Sequence, residues 1–189
     1  MIKESMKKYI VGAATLIILL LINFSIWQKQ THITEGEVIN IELAPVDPRS
    51  LMQGDYMTLR FDIARQIRAS YDESSQTEKD DSDNQASQPL LPETAYVIVQ
   101  LDENKVASFV SIEADNAESI PLGPQQRKLQ YRVRQNKVKF ATNGFFFAEG
   151  DEPIYRDARY GQFRVNNKGE VLLTGLLDKD LVLLGAEML

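Results

Sequence analysis

Between Tyr9 and Trp27 the chain carries nineteen consecutive uncharged residues, YIVGAATLIILLLINFSIW, whose polar members are Thr15, Asn23 and Ser25. As an α-helix the run is roughly 28 Å long, which matches a hydrocarbon core of about 30 Å. A soluble helix of that length keeps a polar stripe, and this one is apolar all round. Lys3, Lys7 and Lys8 precede it against Glu4, and only Lys29 follows closely. The positive-inside bias therefore predicts a cytoplasmic N-terminus. Tyr9 and Trp27 sit at the two ends, where amphipathic rings favour the interface. A cleaved signal peptide has a shorter apolar region, about 7–15 residues, followed by a small-x-small site. The sequence WQKQTHITEG after the run offers none. The expectation is a retained membrane anchor: residues 1–8 cytoplasmic, 9–27 spanning, 28–35 a polar stalk, and 36–189 an extracytoplasmic domain. The lipid bilayer is thus the first expected partner.

The rest of the composition works mainly by exclusion. The net charge is −6 and the pI near 4.9, the wrong sign for a chain that neutralises nucleic-acid phosphates. There is no cysteine, which removes disulfides, thiolate zinc sites, cysteine nucleophiles and a lipobox. The single histidine, His32, lies on the expected stalk and reads as a solvated linker residue. A Ser-His-Asp triad needs its imidazole held between an acid and a hydroxyl. One histidine makes no histidine-rich metal site, and no loop has the spacing of a carboxylate calcium site. Gly123, Gly144, Gly150 and Gly161 read as isolated turn glycines rather than a phosphate cradle. No cofactor, no metal and no catalytic residue set is expected.

Period-two alternation marks the strands. Glu37–Leu43 and Tyr56–Phe61 each suit a half-buried strand, with Pro45-Val46-Asp47-Pro48-Arg49 breaking the chain between them. Ala95–Leu101 and Val106–Ile112 flank a four-residue turn at Asp102–Lys105. Leu129–Arg134 and Lys137–Ala141 flank Gln135-Asn136, and Phe163–Asn166 and Glu170–Thr174 flank Asn167-Lys168-Gly169. Each is a hairpin. A short helix is expected within 151–160, with Asp151 as its cap and Pro153 in its first turn. The predicted fold is mainly β: an antiparallel, barrel-like domain behind a transmembrane helix. Residues 178–189 read equally as a last strand or a helical tail.

The stretch 71–93 has another character. Asp72, Glu73, Glu78, Asp80, Asp81 and Asp83 oppose Lys79, and Ser and Gln fill much of the remainder. Such a tract buries too little surface to order itself. It is expected to be a disordered insertion carrying most of the net negative charge; an acidic interaction tail or a cation-responsive element is the functional alternative.

Two segments concentrate candidate chemistry. In the first, Gly54-Asp55 forms a turn pair that feeds Tyr56 into a strand, since glycine tolerates positive φ and aspartate accepts backbone N–H bonds. In the second, Tyr155, Arg156, Arg159, Tyr160, Gly161 and Arg164 crowd into ten residues. Arginine with tyrosine suits an anionic group, by bidentate bonding and stacking, and equally suits internal ion pairs.

The run Gly54-Asp55-Tyr56-Met57-Thr58-Leu59-Arg60-Phe61 resembles the motif of the GDYXXLXY family of small membrane-anchored bacterial proteins. Gly54, Asp55, Tyr56 and Leu59 match, and Phe61 replaces the last tyrosine. Keeping the ring while losing the hydroxyl suggests that this position packs. The second segment, with Gly169–Leu176, resembles the C-terminal part of the family. Leu51-Met52-Gln53-Gly54-Asp55 is also similar to the L-x-x-G-D turn of type I signal peptidases, but Ser50 is misplaced as a nucleophile and no lysine is placed as its base. The family resemblance implies an inner-membrane protein, often encoded beside a multi-spanning membrane protein, with no established activity. The expected function is therefore a non-enzymatic accessory subunit that binds an integral membrane protein. The alternative is a membrane-surface enzyme or anion-binding domain that uses Asp55 with Arg156, Arg159 and Arg164.

Overall fold

A computed structural model describes residues 4–44, 56–77, 92–113, 121–135, 137–142 and 144–185. It divides into two compact units, 1–36 and 37–189.

The first unit is one helix, α1 (Glu4–Glu35). It contains a helical segment long and apolar enough to cross a membrane. The expected stalk at 28–35 is a continuation of this helix. The reason is cooperative: elongating an existing helix avoids the nucleation cost, and Gln28-Lys29-Gln30 are good helix formers. His32 accordingly lies in the last turn of α1, not in an irregular linker, and it is buried rather than solvated. Helical bonding closes at Gly36, whose N–H donates to His32 O at 3.1 Å.

Among its described residues the second unit has ten strands and two helices: β1 (Glu37–Glu42), β2 (Tyr56–Thr58), α2 (Asp62–Thr77), β3 (Thr94–Leu101), β4 (Ala107–Glu113), β5 (Gln126–Arg134), β6 (Lys137–Lys139), β7 (Gly144–Phe146), α3 (Glu152–Tyr155), β8 (Tyr160–Val165), β9 (Val171–Leu177) and β10 (Leu183–Leu184). All pairings within the sheets are antiparallel. One sheet has the order β1-β8-β9-β10, the other β4-β3-β5-β6, and β2 and β7 form a separate ribbon. The three expected hairpins are β3–β4, β5–β6 and β8–β9. Gln135 turns the second with φ of 51°, the left-handed conformation that a two-residue hairpin requires. Leu183–Leu184 pairs with β9, so the C-terminal segment contains a strand.

Three expectations change. Residues 71–77 belong to α2, so the acidic tract does not begin at Tyr71; residues 78–91 lie outside those described. Ile63, Ile67 and Tyr71 recur at intervals of four, and the helix packs against β1, β4 and β6. That contact stabilises turns that composition alone leaves marginal. The helix within 151–160 is a single turn, and Asp151 makes no capping bond there. Gly161 and Gly144 stand in strands rather than turns.

The two sheets are stitched by backbone and side chain. Asn40 N–H donates to Lys105 O at 2.8 Å, and its carboxamide donates to Asn104 O at 3.1 Å. Gln130 N–H donates to Gly169 O at 2.7 Å. Gly169 has φ of 79°, and a Cβ there would fall 2.6 Å from Lys128 O, so both conformation and space demand glycine. Arg127 grips Glu37 with two bonds, Nε to Oε2 at 2.5 Å and Nη2 to Oε1 at 3.2 Å.

Between the sheets lies one apolar core. Ile39, Ile41, Phe163 and Leu176 enter from the first sheet; Val97, Val99, Leu129 and Tyr131 enter from the second. Phe61 is the hinge of this core. Its ring meets Phe163 edge-on at 5.4 Å and Phe140 at 5.9 Å. Gly161 forms the floor beneath it, because a Cβ there would come 3.0 Å from Phe61, 3.1 Å from Phe163 and 3.3 Å from Leu173. Overpacking such a site typically costs about 1–3 kcal/mol. Gly161→Ala is thus expected to lower the stability of the full chain by that amount in urea unfolding. Adding Phe61→Leu should recover part of the loss. Simple additivity of the two changes would show that Gly161 and Phe61 do not share one space.

Candidate functional site

Gly54 and Asp55 lie outside the described residues, so the motif enters the structure at Tyr56. β2 is only three residues long and pairs with β7: Tyr56 opposite Phe146, Met57 opposite Phe145, Thr58 opposite Gly144. Alternation then sorts the side chains. Met57 and Leu59 are buried. Phe61 follows them inward, while its backbone bridges to Leu43. Tyr56 takes the other face and stacks obliquely on Phe146, with ring centres 5.8 Å apart. Phe146 is 72% exposed. Of the described motif positions, Leu59 and Phe61 therefore build the core, and Tyr56 flanks a solvent-facing aromatic ring. The packing role expected of Phe61 is what its surroundings show: the ring is buried among apolar neighbours.

The second candidate segment does not gather into one cluster. Tyr155 is buried, with its ring 4.8 Å from Phe145 and 5.4 Å from Phe147. Arg156 is exposed and bonds Glu152 one turn back, at 3.3 Å. Arg159 is also exposed, and its backbone makes two hydrogen bonds: its N–H donates to Leu177 O and its C=O accepts from Leu43 N–H, both at 2.8 Å. These bonds tie the end of β9 to the segment after β1. In β8, Gly161, Phe163 and Val165 turn to the core, and Tyr160 and Arg164 take the alternate positions. Tyr160 stands opposite Glu42 and Leu177, and Arg164 opposite Val38 and Leu172. A single anion would need Arg156, Arg159 and Arg164 to converge; one is held by its own helix turn, one stands at a loop, and one is mid-strand.

Two polar groupings escaped the sequence reading. The first follows the motif directly. Asp62 opens α2, and its carboxylate accepts from Arg65 Nε at 3.1 Å, from Arg65 Nη2, and from Gln66 Nε2 at 2.7 Å. The Arg65 bonds first, then the Gln66 bond, hold this carboxyl below the usual carboxylate range. The signal was legible: an aspartate at the start of a segment with four-residue apolar spacing. The second grouping is Glu113, which is buried, with Lys128 Nζ 2.5 Å from its Oε2 along a direction poor for hydrogen bonding. The same ammonium lies 4.0 Å from the centre of the Tyr96 ring. Sheet register alone brings these three together, so no sequence spacing announces them. Among the described residues, no group of three or more potential metal ligands occurs.

The fold and the motif together define a class: a β domain that follows a helix able to serve as a membrane anchor. The family model described as GDYXXLXY protein matches residues 18–176, from within α1 to near the end of β9. The chain belongs to the GDYXXLXY family. No curated protein and no solved structure matches it.

The Asp62 cluster gives a pH signature. A depressed native pKa means that its contribution is fully present above the unfolded value of about 3.9 and is lost as pH falls through the native value. Asp62→Asn should cost about 0.5–1 kcal/mol at pH 7, the scale of a surface pair at a helix N-terminus. In urea unfolding, the gap between wild type and variant should close as the solution becomes more acid than pH ~4. A gap that persists in strong acid would assign Asp62 a role independent of its charge. For the buried pair, Lys128→Met leaves the Glu113 carboxylate without its cation. Because Lys128 is 32% exposed, a loss near the low end for broken buried pairs, about 3 kcal/mol, is expected at neutral pH. Glu113→Gln with Lys128→Met should be milder than Lys128→Met alone.

Proposed function

We propose that this chain is a non-enzymatic accessory subunit of an integral membrane protein, anchored in the bacterial inner membrane by α1. In this reading the N-terminus is cytoplasmic and the β domain stands outside the cytoplasm. Lys3, Lys7 and Lys8 before the apolar run support that orientation. The β domain would bind its partner through the ribbon that carries the motif tyrosine.

One observation carries the binding reading. Phe146 is 72% exposed and stands directly opposite Tyr56 on the two-stranded ribbon that carries the first described residue of the motif. Burying such a ring against a partner is favourable, and interfaces are enriched in Phe and Tyr for that reason. The alternative, an anion-binding or catalytic site using Asp55 with Arg156, Arg159 and Arg164, draws less support because those arginines have separate surroundings.

The test is co-purification of the full chain from native membranes in mild detergent. Phe146→Ser should lower recovery of a stoichiometric membrane protein at least about tenfold, as expected for an interface anchor. Its effect on folding stability should stay within about 0.5 kcal/mol, because the ring is on the surface. Arg156→Ala should leave recovery unchanged. Full recovery with Phe146→Ser, or loss with Arg156→Ala alone, would overturn the ribbon as the docking element.

A further inference from the structure

The anchor contains a polar group that its own helix satisfies only in part. Thr15 is accounted for, since its hydroxyl donates to Val11 O at 3.0 Å. Asn23 is half accounted for: Nδ2 donates to Leu19 O at 2.9 Å, which leaves a second N–H and the carbonyl Oδ1. The apolar window of α1 is uncovered within the monomer. Asn23 lies five residues beyond the middle of Tyr9–Trp27, or about 7–8 Å from the bilayer centre, well inside the hydrocarbon. No water is there to take the remaining carboxamide groups, so a partner in the membrane lowers the free energy of this residue.

The chemistry of the carboxamide points to what that partner is. It carries both a donor and an acceptor, so two of them form a reciprocal pair. Two copies of this chain, inserted with the same topology, run parallel and bring residue 23 to the same depth without adjustment. Across a two-fold axis each Nδ2–H then donates to the other Oδ1. Helical geometry puts Gly12, Leu16, Leu19 and Ile26 within about 60° of Asn23 on the same face. Gly12 fits this picture, because within the monomer a Cβ there would meet nothing within 4 Å. Nothing inside one chain therefore calls for glycine, and so small a residue leaves room for a second helix to approach closely at that level.

We propose that the Asn23 face of α1 is a parallel self-association seam, in which two copies of the chain pair their Asn23 carboxamides inside the bilayer. The inference stands on the anchor alone and is independent of the partner-binding reading of the β domain.

The chain has no cysteine, so each introduced one is unique. Leu19→Cys and Ile26→Cys lie on the proposed seam, and Ile18→Cys and Leu21→Cys lie on the opposite face. Each full-length variant is oxidised in native membranes and resolved by mass. Disulfide-linked species of twice the chain mass are expected at positions 19 and 26 and not at 18 and 21. Asn23→Leu, added to Leu19→Cys, should weaken association roughly tenfold, the scale of one interhelical polar contact in model spans. Cross-linking at none of the four positions, or equally at all four, would overturn the proposal. So would dimers that persist unchanged with Asn23→Leu, or products whose mass shows a different protein on this face. The variants alter only α1, so loss of the seam and loss of the β-domain partner are read separately in the same membranes.

Discussion

A relay of aromatic rings holds this domain together. Phe163 from one sheet meets Phe61, Phe61 meets Phe140, Phe140 meets Tyr131 of the other sheet at 6.2 Å, and Tyr131 shares a 3.1 Å hydrogen bond with Tyr71 of α2. Each ring brings a large apolar surface, and the edge-on contacts add to what burial alone contributes. Burial, then the Tyr71 bond, raise the Tyr131 phenol well above its ordinary pKa, so it stays a neutral member of the core. Break the relay at Phe61 and the motif strand, both sheets and the helix lose their common neighbour. Gly161 then reads as a consequence: β8 has to pass close enough for Phe61 to lie on it.

This arrangement gives the described part of the motif a role in building the fold. The described part of the motif divides by strand parity. Leu59 and Phe61 face inward and specify the fold; Tyr56 faces the other way and lies beside an exposed ring. A residue pattern that serves both faces of one strand is held by two constraints at once. The same parity splits the second segment, where Gly161 and Phe163 serve the core while Tyr160 and Arg164 do not.

Local features of the fold could be read from the sequence; distant ones could not. The three hairpins follow from alternation bounded by short turns, and Gln135 and Gly169 adopt the left-handed conformations such turns need. The pairing of β1 with β8 joins residues more than a hundred positions apart, and no local pattern specifies it. Helix α2 was hidden because Ile63, Ile67 and Tyr71 are its main apolar anchors and its end merges in composition with the acidic tract. Residues 28–35 continue the helix despite their polarity, because polarity says nothing about whether a helix already under way will stop. At the candidate site, the packing role of Phe61 was legible from the missing hydroxyl. Exposure of Phe146 was not, since the run Phe145-Phe146-Phe147 reads as uniformly buried until its register with β2 is known.

The central claim is that motif strand, α2 and both sheets form one cooperative core around Phe61. Native-state amide hydrogen exchange of the full chain tests it most directly, because elements that open together exchange with one free energy. The account predicts that Ile67 in α2, Val97 in β3 and Phe163 in β8 belong to the same slowest-exchanging group. Rapid exchange throughout α2, with the two sheets still protected, would contradict it and would make the motif segment an appendage to a core that stands without it.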